Sequence, residues 1–264
     1  MVSISIYRSF TSYFLQVLIL KGLNPILATI LQHATQSGLF AYSAYIIFKN
    51  DWCSTHTVFV IIQAVAHFMK MHSYITVNRD LREDYEEALK RGEQPRSNYP
   101  NNVTISDFCL FMFTPWLVYA EYPRRKSIDY FYVAKKMGMA AVLLITLYLI
   151  HSEFIQPWIH RANEIAGIEL VLRLMLPILI FFLTCFYLVF DTMCNFFAEI
   201  TKLDHREFYE DWWNSHTYEE FNRKWNKPVH LFLLRHVYLE CMIRWKTSKV
   251  TAQAVTFLFS AFLH

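Results

Sequence analysis

A histidine and a carboxamide carry the chemistry this sequence can offer. His264 follows the apolar run Val250 to Leu263, and Asn214 lies in the stretch Phe208 to Tyr238, which holds three of the seven tryptophans together with acids, bases and amides. A neutral imidazole can take the proton from a hydroxyl as that hydroxyl attacks an acyl carbonyl. A carboxamide NH2 can steady the resulting oxyanion or orient the nucleophile. A histidine in an apolar helix can equally be a packed, hydrogen-bonded side chain, and residue type alone leaves both readings open. The surrounding rings and ionic groups are what a chain places where lipid meets water, because a ring with a polar tip satisfies both phases.

Other chemistries lack their residues. There is no HExxH, GxSxG, GxGxxG or P-loop sequence, and His230 and His236 are six positions apart, on nearly opposite faces of one helix, which makes them poor co-ligands. Cys53, Cys109, Cys185, Cys194 and Cys241 are widely spaced, form no CxxC pair and read as reduced packing thiols. A formal net charge of +3 with no long basic block gives no argument for nucleic acid.

The elements that must position these groups are apolar. With 55% hydrophobic and 17% aromatic residues, the 264-residue chain reads as a polytopic membrane protein. Arg8 precedes an apolar run that has no small-residue cleavage site, so no removable signal peptide is expected. Met1 to Leu20 suits an interfacial helix. Spans are expected at Ile26 to Phe48, Thr57 to Met71, Tyr130 to Ile150 and Leu170 to Phe190, since about 20 apolar residues cross a bilayer. Gln32, His33, Gln36 and Ser37 should face other helices, Lys70 to Tyr74 should mark a headgroup boundary, and Pro177 should kink the last span.

Residues 78–102 read as a polar, cytosolic loop with a helix that stops at Gly92 and Pro95, in which the sequon Asn102-Val103-Thr104 is expected to stay unused. Asp107 to Tyr119 is too short to span and reads as a re-entrant aromatic segment, and Glu153 to Glu169 reads as a polar connection. Asp191, Asn195 and Glu199 are costly so near lipid unless they are paired or line a cavity. Thr217 and Glu220 form a capping box for a short helix with Tyr218, Phe221 and Trp225 on one face, and Pro228 begins the next helix. Arg206, Arg223, Lys224, Lys227 and Arg235 are either membrane-surface anchors or ligands for phosphates.

The residues Phe208-Tyr209-Glu210-Asp211-Trp212-Trp213-Asn214 match the FYxDWWN signature without a mismatch. Trp225-Asn226, Pro228-Val229-His230, Arg235-His236-Val237-Tyr238 and Ser260-Ala261-Phe262-Leu263-His264 continue it in order. On these residues the chain resembles the membrane-bound O-acyltransferase family, in the branch of sterol and diacylglycerol O-acyltransferases. Met69 to Tyr74, Ser97 to Val103 and Glu121 to Arg124 resemble the fungal-type sterol enzymes.

The resemblance implies an all-α, polytopic transmembrane helical bundle, one membrane-embedded acyltransferase domain over residues 1–264, with residues 206–230 as an interfacial motif segment. It implies His264 as general base on a sterol 3-hydroxyl and Asn214 beside it in the catalytic chamber. Phe208, Tyr209, Trp212, Trp213, Asn195, Glu199, Arg235 and His236 are implied to bind substrate. Long-chain acyl-CoA is the implied co-substrate, with no metal or other cofactor, and the products are a steryl ester and CoA. The implied partners are sterol, acyl-CoA, the bilayer and a further copy of the chain, with the endoplasmic reticulum membrane as location. Family members continue past the histidine, so a bundle incomplete at the C-terminus is expected. Diacylglycerol as acceptor, or a non-catalytic relative that binds acyl-CoA or sterol, are the alternatives.

Overall fold

The computed structural model of the chain describes residues 2–50, 52, 54–95 and 97–263. In chain order the helices are α1 (Val2–Leu20), α2 (Pro25–Asn50), α3 (Ser54–Arg91), α4 (Ile105–Phe113), α5 (Tyr130–Leu149), α6 (Gln156–His160), α7 (Gly167–Phe186), α8 (Cys194–Ile200), α9 (Tyr218–Trp225), α10 (Lys227–Leu233), α11 (Leu239–Ile243) and α12 (Lys249–Leu263). Wider π-type turns, Ile150–Ile155, Tyr187–Met193 and Leu234–Tyr238, join α5 to α6, α7 to α8 and α10 to α11 without a break. The fold is all-α; among the described residues extended pairing is limited to the bridge between Arg124 and Leu203.

Three helical runs are long and apolar enough to cross a membrane among the described residues: His56–Arg91, Tyr130–His160 and Gly167–Ile200. The outer faces of α5 and α7 are apolar and exposed, as at Val142, Ile145, Leu172 and Met175, which is what a lipid-facing helix needs. The expected span at Ile26 to Phe48 does form one helix, but it is not among the three, since its amides and hydroxyls dilute its hydropathy.

The chain divides into two compact units, residues 1–121 with 228–264, and residues 122–227. In the first, Tyr74, Val77, Phe108, Phe111 and Tyr119 form one core cluster and Met69, Leu117, Val118 and Phe232 another. Lys70 lies inside α3 and is buried, its ammonium donating to the carbonyls of Phe111 and Met112 at 2.8 and 3.2 Å and to that of Thr114. A cation at the C-terminal end of α4 satisfies orphan carbonyls and complements the helix dipole. The expected headgroup boundary at Lys70 to Tyr74 is therefore buried core, because a lysine amid apolar residues met a helix end rather than water.

Other expectations shift for similar reasons. Gln32 and Gln36 are buried, and His33, though exposed, meets the His72 ring of α3 at 6.4 Å, whereas Ser37 is exposed. The polar segment after residue 78 is mostly the continuation of α3, which Gly92 ends with φ +71°, placing Glu93 N–H 2.9 Å from the Ala88 carbonyl. Asn102 is buried and donates to Asn78 Oδ1 at 2.8 Å and to the Tyr119 hydroxyl at 3.1 Å. In the second unit the expected connection from Glu153 to Glu169 is helical as far as His160, and the chain reverses only across residues 161–166.

Candidate functional site

The signature segment lies in the second unit and is held from below by a buried carboxylate. Glu199, at the end of α8, is 1% exposed. One of its oxygens accepts from the Asp129 backbone N–H at 2.7 Å and the other pairs with Arg206 at 2.6 Å and Arg125 at 3.6 Å. Asp129 in turn caps α5 by accepting from Tyr132 N–H at 3.0 Å. Arg206 also donates to the Leu203 carbonyl at 2.8 Å, which fixes the two residues before Phe208. Higher on the same helices Lys136 pairs with Asp191 at 2.7 Å, and Asn195 donates to the Asp191 carbonyl at 2.8 Å. The acid and amide groups that looked misplaced beside lipid thus have partners inside the unit.

From Arg206 the chain runs beside the end of α9. Glu210 N–H donates to the Lys224 carbonyl at 2.9 Å, and Lys227 N–H to the Phe208 carbonyl at 3.1 Å. Phe208 is buried, and Tyr209 meets Phe186 edge-on at 5.1 Å. Trp212 packs edge-to-face against Phe186 at 5.3 Å, Trp225 at 5.2 Å and Phe221 at 5.8 Å. Trp225 lies flat on Phe182 at 5.5 Å and stacks on Phe186 at 4.7 Å. The signature therefore folds as an aromatic platform on α7, a geometry worth about 0.5–1.5 kcal/mol per ring pair beyond the buried area.

Ion pairs clamp the rim of the platform. Lys224 reaches Asp211 at 2.8 Å and Glu220 at 2.7 Å, and Lys227 reaches Glu207 at 3.0 Å and Glu210 at 2.6 Å. The Lys224 ammonium hydrogen-bonded to Asp211 holds that carboxyl below its ordinary range, and Lys227 does the same for Glu207. Three of the five proposed phosphate ligands, Arg206, Lys224 and Lys227, are thus already neutralised by carboxylates of the same unit. The capping box at α9 is rearranged: Thr217 Oγ1 accepts from Glu220 N–H at 3.1 Å, but the Glu220 carboxylate reaches the N–H of His216, one residue earlier than the motif requires.

The predicted site residues do not all meet. Phe208, Tyr209 and Trp212 enter the platform, Glu199 anchors it, and Asn195 lies on α8. Trp213 is 62% exposed and Asn214 is exposed, its side chain hydrogen-bonded to Asp211 on a short 3-10 turn. Arg235 and His236 belong to the first unit, on the π-type turn Leu234–Tyr238, where His236 Nε2 lies 2.7 Å from Ser73 Oγ. His264 lies outside the described residues.

Sequence reasoning did not foresee Asn226 as a second carboxamide of interest. It is half-buried in the extended break between α9 and α10, directly after the stacked Trp225. The signal was present in the Trp-Asn pair within the motif. Nor were Lys136, Arg125 and Asp129 foreseen as partners, since they lie 55 to 74 residues away from Asp191 and Glu199 in sequence.

An all-α chain with membrane-length apolar helices and an aromatic, ion-paired motif segment defines a membrane-embedded helical protein. Residues 27–264 match MBOAT, the membrane-bound O-acyltransferase family, and the chain belongs to that family. It is similar to "Probable sterol O-acyltransferase 1" of Schizosaccharomyces pombe, at 38% identity over 189 residues, covering 68% of this chain and 35% of the relative. It is similar also to "Probable sterol O-acyltransferase 2" of the same organism, at 31% identity with 81% of this chain and 53% of the relative covered. A third similar protein, "Diacylglycerol O-acyltransferase 1A" of Glycine max, is 30% identical, with coverages of 91% and 50%. The chain spans about a third to a half of the length of these curated relatives.

Proposed function

We propose that the chain is part of an acyl-CoA-dependent sterol O-acyltransferase of the endoplasmic reticulum membrane, forming a steryl ester and CoA. His264 acts as general base on the sterol 3-hydroxyl. A carboxamide of the signature segment, Asn214 or the more deeply placed Asn226, orients the thioester or its oxyanion. The aromatic platform of Tyr209, Trp212 and Trp225, with the exposed Trp213 beside it, offers an apolar surface to the acyl or sterol body, and no metal or other cofactor is required for thioester acylation.

The observation that carries this reading is the 38% identity to a protein named for sterol acylation, combined with the intact FYEDWWN segment. A second reading, acylation of diacylglycerol, is favoured by the soybean relative's match across 91% of the chain. The two acceptors differ by shape in an apolar pocket, where single contacts are worth only about 1–3 kcal/mol.

The test uses membranes without endogenous acyltransferases, labelled oleoyl-CoA, and sterol or diacylglycerol. Two proteins are compared: the 264-residue chain, and a chimera that continues after His264 with the corresponding part of the first Schizosaccharomyces pombe relative. Steryl ester from either, lost in His264→Ala, is the expected result. Label in triacylglycerol alone would replace the sterol reading with the second one, and label in neither product would refute acyl transfer by these residues. Asn214→Ala and Asn226→Ala in the active protein identify the working carboxamide by which one lowers kcat about 100-fold, the usual cost of an oxyanion donor.

A further inference from the structure

In the second unit the loop that carries Asn214 is tied at both ends to one helix. Residues 211–217 turn through the 3-10 segment Trp212–Asn214 and enter α9 at Tyr218. Before the turn, the Asp211 carboxylate accepts from the Lys224 ammonium at 2.8 Å. After it, the His216 N–H donates to the Glu220 carboxylate at 3.0 Å. Lys224 and Glu220 stand one helical turn apart on α9 and meet at 2.7 Å, so a single ammonium bridges the two carboxylates. The Lys224 backbone is held as well, its carbonyl accepting from Glu210 N–H at 2.9 Å.

The turn itself is weakly defined. Asn214 N–H donates to the Asp211 carbonyl at 3.0 Å and Ser215 N–H to the Trp212 carbonyl at 3.2 Å, and 3-10 bonds have poorer geometry than those of an α-helix. Asn214 is exposed, so close packing does not orient its amide. The Asp211 carboxylate does, being hydrogen-bonded to the Asn214 side chain. A carboxylate only accepts, so Asn214 presents its NH2 to Asp211 and turns Oδ1 away from it. One N–H and the amide oxygen are left for a ligand.

The direction of that amide therefore depends on what holds Asp211. Its side chain is 51% exposed, whereas that of Lys224 is only 12% exposed, so the ammonium and not the packing fixes the acid. Charge-assisted hydrogen bonds are shorter and stronger than neutral ones, and here one cation makes two of them. The FYxDWWN signature contains Asp211 and Asn214, while Lys224 lies outside it on the following helix.

We propose that Lys224 is a positioning residue for the signature carboxamide: with Glu220 beside it, it holds Asp211, and Asp211 sets the direction of the Asn214 amide. The proposal rests on the acyl-transfer reading and deepens it, assigning the working carboxamide to Asn214 rather than Asn226. Lys224 touches no substrate in this role and acts only through Asn214.

The test is a double-variant cycle in whichever of the 264-residue chain and the chimera forms ester, read as kcat and KM for oleoyl-CoA. Hydrogen exchange of the same proteins is followed by mass spectrometry. Asn214→Ala should lower kcat about 100-fold. Lys224→Met should lower kcat about tenfold and change KM by less than about twofold, since it misplaces a group that acts in the transition state. Lys224→Arg, whose guanidinium can serve both carboxylates, should restore most of the loss. In the Asn214→Ala background Lys224→Met should cost nothing further, because the group it acts through is gone. Exchange across residues 208–217 should quicken about tenfold in Lys224→Met while the α5 and α7 peptides stay unchanged. Where α7 quickens too, the isosteric Asp211→Asn decides, and it should loosen the same peptide alone. A kcat loss that persists in full in the Asn214→Ala background means a merely structural role and overturns the proposal. Lys224→Met with the parent kcat overturns it as well, as does unchanged exchange across residues 208–217 in both variants. Asn214→Ala that keeps its activity also overturns it and passes the role to Asn226, with acyl transfer left standing. If neither parent protein forms ester, the acyl-transfer reading fails and the positioning role falls with it.

Discussion

Replacing Glu199 should loosen the signature segment more than any change within the segment's exposed rim. Its carboxylate is the shared acceptor for the Asp129 N–H, 2.7 Å away, and Arg206, 2.6 Å away, at a position where water does not reach. Breaking a buried pair by removing one partner costs about 3–5 kcal/mol, because the other charge is left behind. Arg125 adds little, being half-exposed at 3.6 Å. Arg206 keeps its bond to the Leu203 carbonyl and its place over the Tyr132 ring at 5.7 Å, so the lower end, about 3 kcal/mol, applies to Glu199→Ala. At about 2–4 °C per kcal/mol for a chain of this size, the melting temperature should fall by about 6–12 °C. Glu199→Gln retains an acceptor for Asp129 N–H and should lose roughly half as much. Melting would be followed by tryptophan fluorescence and by monodispersity in detergent. If Glu199→Ala melts within about 2 °C of the parent, or Glu199→Gln is the worse of the two, the carboxylate does not anchor the segment. In the double variant Glu199→Met, Arg206→Met no charge is stranded, and its loss should be smaller than the sum of the single losses.

Three further outcomes follow from the same unit and its neighbour. Trp225→Ala, which removes the ring stacked on Phe182 and Phe186, should cost about 3 kcal/mol and shift the fluorescence spectrum as Trp212 loses its edge contact; an unchanged spectrum would refute the platform. Asp211 is held below its ordinary range by Lys224, so the unfolded chain binds its proton first. The stabilisation is present above the unfolded value, about pH 4, and disappears as pH falls through the folded one. Lys224→Met should therefore differ from the parent at pH 7, with the difference shrinking as pH falls through the carboxylate range, and a difference independent of pH would exclude its carboxylate partners Asp211 and Glu220 as the source. Asn102, buried against Asn78 and Tyr119, should carry no glycan; an endoglycosidase shift in the chain made in eukaryotic cells would contradict its placement.

The helices were legible in the sequence wherever length and hydropathy decide them, and less so wherever a polar residue enters one. The apolar cores of α5 and α7 and the Gly92 stop were read directly, since about 20 apolar residues and a left-handed glycine leave few alternatives. The polar runs misled at their edges: α3 carries its charged tail as one helix to Arg91, and α5 continues through a π-type turn into α6. Nothing local distinguishes a charged helix end from a loop when the stabilising contacts are remote, as in the pairs from Arg244 to Asp80 and Glu83 at 3.0 and 2.7 Å.

The site divides along the same line. The aromatic residues of the signature could be singled out from composition, because rings with polar tips crowd together in few other settings. Their partners could not. That Asp191 and Glu199 would be costly in an apolar helix follows from solvation alone, and it requires cations somewhere; that these are Lys136 and Arg206 follows only from the fold. Ser73 and His236, 163 positions apart, show the same asymmetry. Each is unremarkable by type, yet they meet in the core of the first unit, where the Tyr119 N–H donates to the same serine oxygen at 2.8 Å. Polar residues in apolar helices therefore mark where a partner must be sought, while the partner's identity, whether side chain or ligand, is decided by packing over distances the local sequence does not encode.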